Sequence, residues 1–310
     1  MKAVRYHTYG DSDVLVFEEA EEPKAAAGQV VLRVAGAAFN PVDVAIRSGG
    51  FSRFLPLAFP QTPGIDVSGV ITELGEGVTG WNVGDAVIAF LAMDGPGAAA
   101  EYTAVPADAL VAAPEALPLA DASALPTVGL TARQGLFEHA GLQAGQRLLI
   151  NGAGGGVGGI AVQLAKRAGA EVTATAGARS AARVRAAGAD RIVDYTAVPV
   201  EEALAGERFG AVFHLVRNSP EEAARLVDLV ADGGVFVSAA TPGPEQAERG
   251  VRVTQMYMRG DAAELGEVVA LVDAGELTLH VAERLPLAEL RAVHERAVAG
   301  TLAGKTVLVP

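Results

Sequence analysis

The run Leu148-Leu149-Ile150-Asn151-Gly152-Ala153-Gly154-Gly155-Gly156-Val157-Gly158 carries the clearest chemistry in the chain. An apolar strand enters a turn of glycines, and the turn opens directly into a helix. Glycine has no Cβ, so the backbone turns tightly there and a pyrophosphate can come close to it. The free N–H groups and positive end of the following helix then hold the anion. Glycine runs also occur in ordinary turns, but here the surrounding context is complete. The helix ends near Lys166-Arg167-Ala168, Gly169 suits the position after it, and Glu171–Thr175 resumes as a β-rich run. Ala153, Gly154, Gly155, Gly156, Val157 and Gly158 therefore form a candidate dinucleotide-binding turn.

A site that prefers NAD places Asp or Glu about 20 residues further on, at the end of the second strand, to grip the ribose 2′-OH. Thr173-Ala174-Thr175-Ala176-Gly177-Ala178 contains no acid, and Arg179-Ser180 follows at once. A guanidinium meets a 2′-phosphate through paired donors, so Arg179 and Ser180 favour NADPH over NADH. The alternative is a solvated Arg179 at a helix start, where the dipole offers a cation nothing.

Other chemistry is excluded by what is missing. The 310 residues include no Cys, which removes disulfides, thiol nucleophiles and Cys-ligated zinc. The five His residues, at 7, 139, 214, 280 and 294, have no metal-binding spacing, so no metal is predicted. A formal net charge of −13, spread along the chain, argues against nucleic acid and anionic membranes as partners. No apolar run is long enough to span a bilayer, and Met1–Tyr6 passes straight into a strand-like pattern. The expected location is cytoplasmic.

These residues need a scaffold, and two patterns supply it. Residues 1 to about 120 read as short strands between Gly and Pro, among them Val30–Ala35, Val67–Leu74, Asp85–Phe90 and Tyr102–Val105. Such spacing suggests an antiparallel or barrel-like unit. Residues 119–139 look helical, with an interruption at Pro126. From Arg147 strands and helices alternate. Strands are predicted at 147–151, 171–175, 191–194, 210–215, 234–239 and 251–257, with helices near 156–168, 180–187, 199–205 and 220–231. Six strands with intervening helices suit a doubly wound parallel sheet. The tail reads as helices at 261–274 and 286–299, then a strand at Lys305–Val309.

The chain resembles the zinc-free, quinone oxidoreductase (zeta-crystallin-like) branch of the medium-chain dehydrogenase/reductase superfamily. The residues that carry the resemblance are Gly145-Gln146, Leu149, Ala153 to Gly156, Gly158, Gln163 and Lys166. Supporting segments are Asn40-Pro41-Val42-Asp43, Arg47-Ser48-Gly49, Pro63 to Gly69, Gly84 to Val87, Gly129 to Ala132 and Gly304 to Leu308. The resemblance implies an α/β fold: a Rossmann doubly wound parallel sheet inserted in a GroES-like, mainly β catalytic domain. The implied domains are 1–122 (GroES-like), 123–259 (Rossmann, binding NADPH) and 260–310 (return to the catalytic domain). Sheet-edge pairing between Rossmann domains is a common dimer mode in the family and implies a homodimer. Zinc-dependent members carry Cys and His ligands and a Gly-His-Glu turn where this chain has Gly64-Ile65-Asp66.

By the same analogy, Asn40 and Thr131 sit near the nicotinamide ribose and carboxamide as positioning residues. Asn40 could instead cap the following turn, because Asn-Pro-x-Asp is also good turn chemistry. Asp43 and Arg47 either orient the site or pair with each other. Tyr195 matches a tyrosine beside the adenosine phosphate, or is a surface residue at a strand end. Lys305 matches a basic position near the cofactor. Some relatives use a tyrosine as proton donor, but the comparable positions here are Ala45 and Phe51, neither of which can donate. Tyr257 is a candidate donor or a packed strand residue. Phe51, Phe54 and Leu55 line the substrate or belong to the core.

Without a metal, hydride transfer needs an acceptor already electron-poor at carbon. The expected activity is NADPH-dependent, zinc-independent reduction of small, largely apolar quinones or activated C=C bonds of α,β-unsaturated carbonyls. The alternatives are a biosynthetic enoyl reductase acting on a larger intermediate, and a non-catalytic NADPH-binding protein.

Overall fold

The computed structural model describes residues 1–310, which divide into two compact units. Unit 1 contains Met1–Thr127, Gly260–Glu276 and His280–Pro310; unit 2 contains Val128–Arg259 and Leu277–Leu279.

Unit 1 begins with an antiparallel ribbon of β1 (Lys2–Arg5) and β2 (Val16–Glu19). Its main sheet starts from β3 (Gln29–Ala38), whose length lets it serve several partners. Helix α1 (Pro41–Arg47) follows directly, then β4 (Asp66–Leu74), β5 (Ala86–Phe90), β6 (Tyr102–Pro106), β7 (Leu110–Ala112) and the single turn α2 (Leu119–Ala122). β4 runs antiparallel along β3, while β6 pairs with the first half of β3, from Gln29 to Arg33. On that edge Ala37 and Ala38 are left for a strand that comes much later in the chain.

Unit 2 is the parallel sheet. After α3 (Pro126–Arg133) and a π-helical turn over Gln134–His139 come β8 (Arg147–Asn151), α4 (Gly156–Arg167), β9 (Glu171–Thr175) and α5 (Ala178–Ala186). Then follow β10 (Arg191–Val193), α6 (Val200–Ala203), β11 (Phe209–His214), α7 (Pro220–Val227), β12 (Val230–Ser238) and β13 (Arg252–Gln255). All pairings are parallel, in the order β10-β9-β8-β11-β12-β13. The order reverses between β8 and β11, the switch point where such sheets bind ligands. Apolar side chains such as Leu149, Val212 and Phe236 fill the interior because strands covered on both faces have no solvent side.

The tail, α8 (Ala262–Asp273), β14 (Val281–Pro286), α9 (Leu290–Val298) and β15 (Lys305–Val309), completes unit 1. β15 pairs antiparallel with Ala37 and Ala38 of β3, and β14 adds parallel to β15. The structure thus contains the Rossmann-type parallel sheet and the mainly β unit that the sequence predicts.

Three local differences have simple causes. The sequence predicts no strand over 281–285, yet β14 forms there as an edge strand, where charged residues such as Glu283 and Arg284 are tolerated. The expected helix to residue 231 stops at Val227, because Leu229 already bonds to Phe209 and Val230 pairs with Phe209 as sheet. The helix from α3 widens into π geometry where Gly135 packs against Phe213 and Met256, leaving no room for a Cβ.

Candidate functional site

Each unit brings together part of the predicted constellation. In unit 2, β8 ends at Asn151 and the glycine turn follows. Gly152 has φ +100°, and a Cβ there would stand 2.9 Å from Val216 Cγ2. A Cβ on Gly158 would run into the Gly152 carbonyl and Ala153, so α4 starts close against the turn. Gly155 is exposed and caps α4, and the leading N–H groups of Gly156, Val157 and Gly158 have no carbonyl one turn back. Ala153 is buried and ties its N–H to Thr175 O at 3.2 Å.

The second strand delivers the other predicted residues to the same corner. Ser180 abuts Gly154 so closely that a Cβ on Gly154 would strike its Oγ. Gly177 caps α5, and the Tyr195 hydroxyl lies 3.6 Å from where a Gly177 Cβ would be. Tyr195 itself is 55% exposed. Arg179 stands at the second position of α5, exposed and paired with no carboxylate. A glycine-rich cradle at a helix start, with a cation and two hydroxyls beside it, could hold the pyrophosphate of a dinucleotide. Thr131 is also in unit 2, buried on α3.

Unit 1 contains Asn40 and Lys305 in one buried network. Lys305 Nζ donates to Asn40 Oδ1 at 2.6 Å, Phe39 O at 3.1 Å and Asp66 Oδ2 at 3.2 Å. Asn40 Nδ2 donates to Asp66 Oδ2 at 2.9 Å and to Ala38 O at 3.3 Å. The other Asp66 oxygen accepts from Thr127 N at 3.0 Å and Thr127 Oγ1 at 2.7 Å. Asp66 and Lys305 are 0% and 5% exposed, so this is a fully enclosed ion pair. Asn40 does occupy the N-cap of α1, yet its side chain serves the ion pair. The capping is done in reverse, by Asp43 accepting the Asn40 N–H at 2.8 Å.

That bond removes one of the two alternatives for Asp43 and Arg47. They do not pair, because the Asp43 carboxylate points back to the helix start. Burial pushes its carboxyl up to about 7, with the Asn40 N–H and the Lys305 ammonium pulling it back only in part. Arg47 is buried, with Nε and Nη1 unpartnered. Nearby His294 is pushed down to about 3 by burial and then by the Arg47 charge, so its ring is neutral.

Of the remaining expectations, Tyr257 is not packed: it lies beyond the end of β13 and is 79% exposed. Phe54 is 87% exposed rather than core, whereas Phe51 and Leu55 are half-buried. Sequence reading missed the part Asp66 plays. A carboxylate at the head of an otherwise apolar strand was the available signal. It also missed the link between Asn151, Thr175 and His214, three polar residues that each end a strand of the parallel sheet.

Comparison with known proteins matches this architecture. The family model for the alcohol dehydrogenase GroES-like domain matches residues 26–115, and that for zinc-binding dehydrogenase matches residues 187–308. A chloroplast envelope quinone oxidoreductase homolog of Arabidopsis thaliana is 32% identical over 327 positions, covering 100% of this chain and 98% of that protein. The chain belongs to the quinone oxidoreductase family of medium-chain dehydrogenases/reductases. It is an oxidoreductase, from a family that uses NAD(P)H. Another family member, the NADPH-dependent alkenal/one oxidoreductase of Arabidopsis chloroplasts, is 35% identical over 254 positions, covering 78% of this chain and 64% of that protein. The structure of Escherichia coli quinone oxidoreductase complexed with NADPH superposes with a TM-score of 0.89 at 26% identity, covering 100% of both chains. No helix of this chain is long and apolar enough to cross a membrane.

The enclosed ion pair makes a stability prediction. Lys305→Met strands the Asp66 carboxylate and is expected to cost about 3–5 kcal/mol in urea denaturation. The double variant with Asp66→Asn should lose clearly less than the sum of the two single variants. Additive losses, within about 0.5 kcal/mol, would mean the two groups are not coupled.

Proposed function

We propose that the protein is an NADPH-dependent, metal-independent reductase of small, apolar quinones or α,β-unsaturated carbonyls. The observation that carries the cofactor choice is the corner formed by the glycine turn, Ser180 and the unpaired Arg179. The turn and the head of α4 would hold the pyrophosphate. Arg179 would meet the 2′-phosphate through paired donors, and the Tyr195 ring would flank the adenosine. NADPH supplies hydride when bound.

The roles proposed for Asn40 and Thr131, beside the nicotinamide ribose and carboxamide, rest on the family resemblance. The network supports Asn40 in that role, since both ends of its amide are held and it cannot rotate freely. Lys305 would act through Asn40 as a positioning residue, because its own donors are spent on Asn40, Phe39 and Asp66.

Metal-independence is supported by the donor set. The chain has no Cys, and no three His, Asp or Glu side chains assemble into a metal-holding group. At Gly64-Ile65-Asp66 the carboxylate is committed to an ammonium, an amide and Thr127. Reduction must then fall on acceptors whose own carbonyl takes up the charge that arrives with hydride. Ala45 and Phe51 cannot protonate the product, which favours quinones, whose oxygens take protons from water. We also propose a homodimer formed through β13, whose outer edge is unpaired in the parallel sheet.

Absorbance at the nicotinamide band, with NADPH and NADH against a panel of quinones and enones, tests the activity. Oxidation of NADPH by one acceptor class is expected; binding without oxidation by any acceptor would defeat the proposal. Arg179→Ala should raise KM for NADPH by about tenfold or more while leaving NADH nearly unchanged, as expected for loss of a charge-assisted pair. Equal losses for both nucleotides would remove Arg179 from the 2′-phosphate. Light scattering that finds a monomer at micromolar concentration would remove the dimer.

A further inference from the structure

Asn151, Thr175 and His214 end three adjacent strands, β8, β9 and β11, on the side where the glycine turn leaves the sheet. All three are buried, His214 completely. Gly152 N donates to Thr175 Oγ1 at 2.8 Å, and the Thr175 hydroxyl passes its single proton to Asn151 Oδ1 at 2.8 Å. The Asn151 amide therefore presents Nδ2 to His214 Nδ1, 3.0 Å away. In this arrangement Nδ1 accepts, and the ring proton sits on Nε2, 3.1 Å from Asn218 Oδ1. Asn218 is anchored in turn: its N–H donates to Thr241 Oγ1 at 3.0 Å, and that hydroxyl returns to Asn218 O at 2.9 Å.

The ring thus bridges the glycine turn to the loops that follow β11 and β12. Its neighbours in the sheet, Asn151 on β8 and Ser238 on β12, are uncharged, as is the Phe236 ring 5.7 Å away. Glu222 on α7 is the charged group that acts on it. Burial holds the His214 pKa below its ordinary value, against smaller opposing effects of the Asn218 bond and Glu222.

We propose that His214 is a positioning residue for the cofactor: its neutral ring holds Asn151 and, through Thr175, the Gly152 N–H, so protonation of the ring loosens the turn and weakens NADPH binding. A protonated ring would aim an N–H at the Asn151 amide N–H. Relief requires Asn151 to turn over, and Thr175 then loses the acceptor that orients its hydroxyl under Gly152. The sign follows from the lowered pKa. The neutral ring persists through neutral pH, and the bond is lost as pH falls through the folded value, below about 6.5. The link to NADPH rests on the reading that this turn holds the pyrophosphate; the link to Gly152 does not.

The test compares the wild-type chain with His214→Gln, which keeps one acceptor and one donor but cannot titrate, and His214→Phe, which keeps neither. The first readout needs no nucleotide: imidazole 15N shifts and hydrogen exchange of the Gly152 amide. Expected are an unprotonated Nδ1 at neutral pH, and Gly152 exchange at least about tenfold faster in His214→Phe, with protection largely restored in His214→Gln. The second is NADPH affinity from nicotinamide fluorescence between pH 8 and 5. His214→Phe should bind about tenfold more weakly, with KM affected more than kcat. The wild-type chain should lose affinity in acid more steeply than His214→Gln. A phosphate monoester also titrates near pH 6, so the difference between the two proteins decides, not the slope of either.

A protonated Nδ1, unchanged Gly152 exchange in His214→Phe, or identical acid limbs for the wild-type chain and His214→Gln would overturn the proposal. Should the wild-type chain not bind NADPH at all, the exchange and ring shifts still decide whether His214 positions Gly152, and the cofactor reading alone falls.

Discussion

The ammonium of Lys305 is shut away from water, and much of unit 1 is arranged to make that tolerable. Burying a single unpaired charge costs several kcal/mol, so the surroundings must return that energy as hydrogen bonds and counter-charge. They do so from three separate stretches of chain: Phe39 and Asn40 between β3 and α1, Asp66 at the head of β4, and, through Asp66, Thr127 at the start of α3. None of these can shift alone without exposing an uncompensated charge. The orientation of Asn40 is therefore a by-product of charge burial. An amide whose oxygen faces a cation and whose nitrogen faces an anion has one low-energy setting.

Unit 2 reaches a comparable rigidity by a different route. There the fixed point is a neutral relay of hydroxyl, amide and imidazole beneath the glycine turn, with no formal charge in it. A charged support would disturb the field at the start of α4, whereas a neutral one leaves the helix dipole as the dominant local effect. The two units thus hold their candidate site residues with opposite electrostatics: strong pairing around Asn40, and weak, directional bonds under the turn.

The glycine turn could be read in the sequence because everything that defines it is local. Strand, turn, helix and second strand lie within Leu148–Thr175, and each step has its own residue signature. Arg179 and Ser180 were legible for the same reason. The Asn40 cluster was only half legible. Asn40 and Asp43 share a motif, but the partner that decides the side chain's role is Lys305, 265 residues away. No spacing rule connects them; only the pairing of β15 with β3 does. β14 was missed because an edge strand needs no apolar alternation. His214 was passed over because one His at the end of an apolar strand has no meaning until Asn151 and Thr175 arrive beside it.

The way unit 1 is completed also bears on how the protein is made. The end of β3, at Ala37 and Ala38, waits for β15, so the ribosome must deliver all of unit 2 before that edge is covered. Until then the nascent chain carries an open strand at Ala37–Ala38 and a carboxylate at Asp66 without its cation. Unit 2, contiguous apart from Leu277–Leu279, can close much earlier. Synthesis therefore passes through a state with one finished domain and one unfinished sheet, the form most exposed to chaperones and to wrong pairing with other chains.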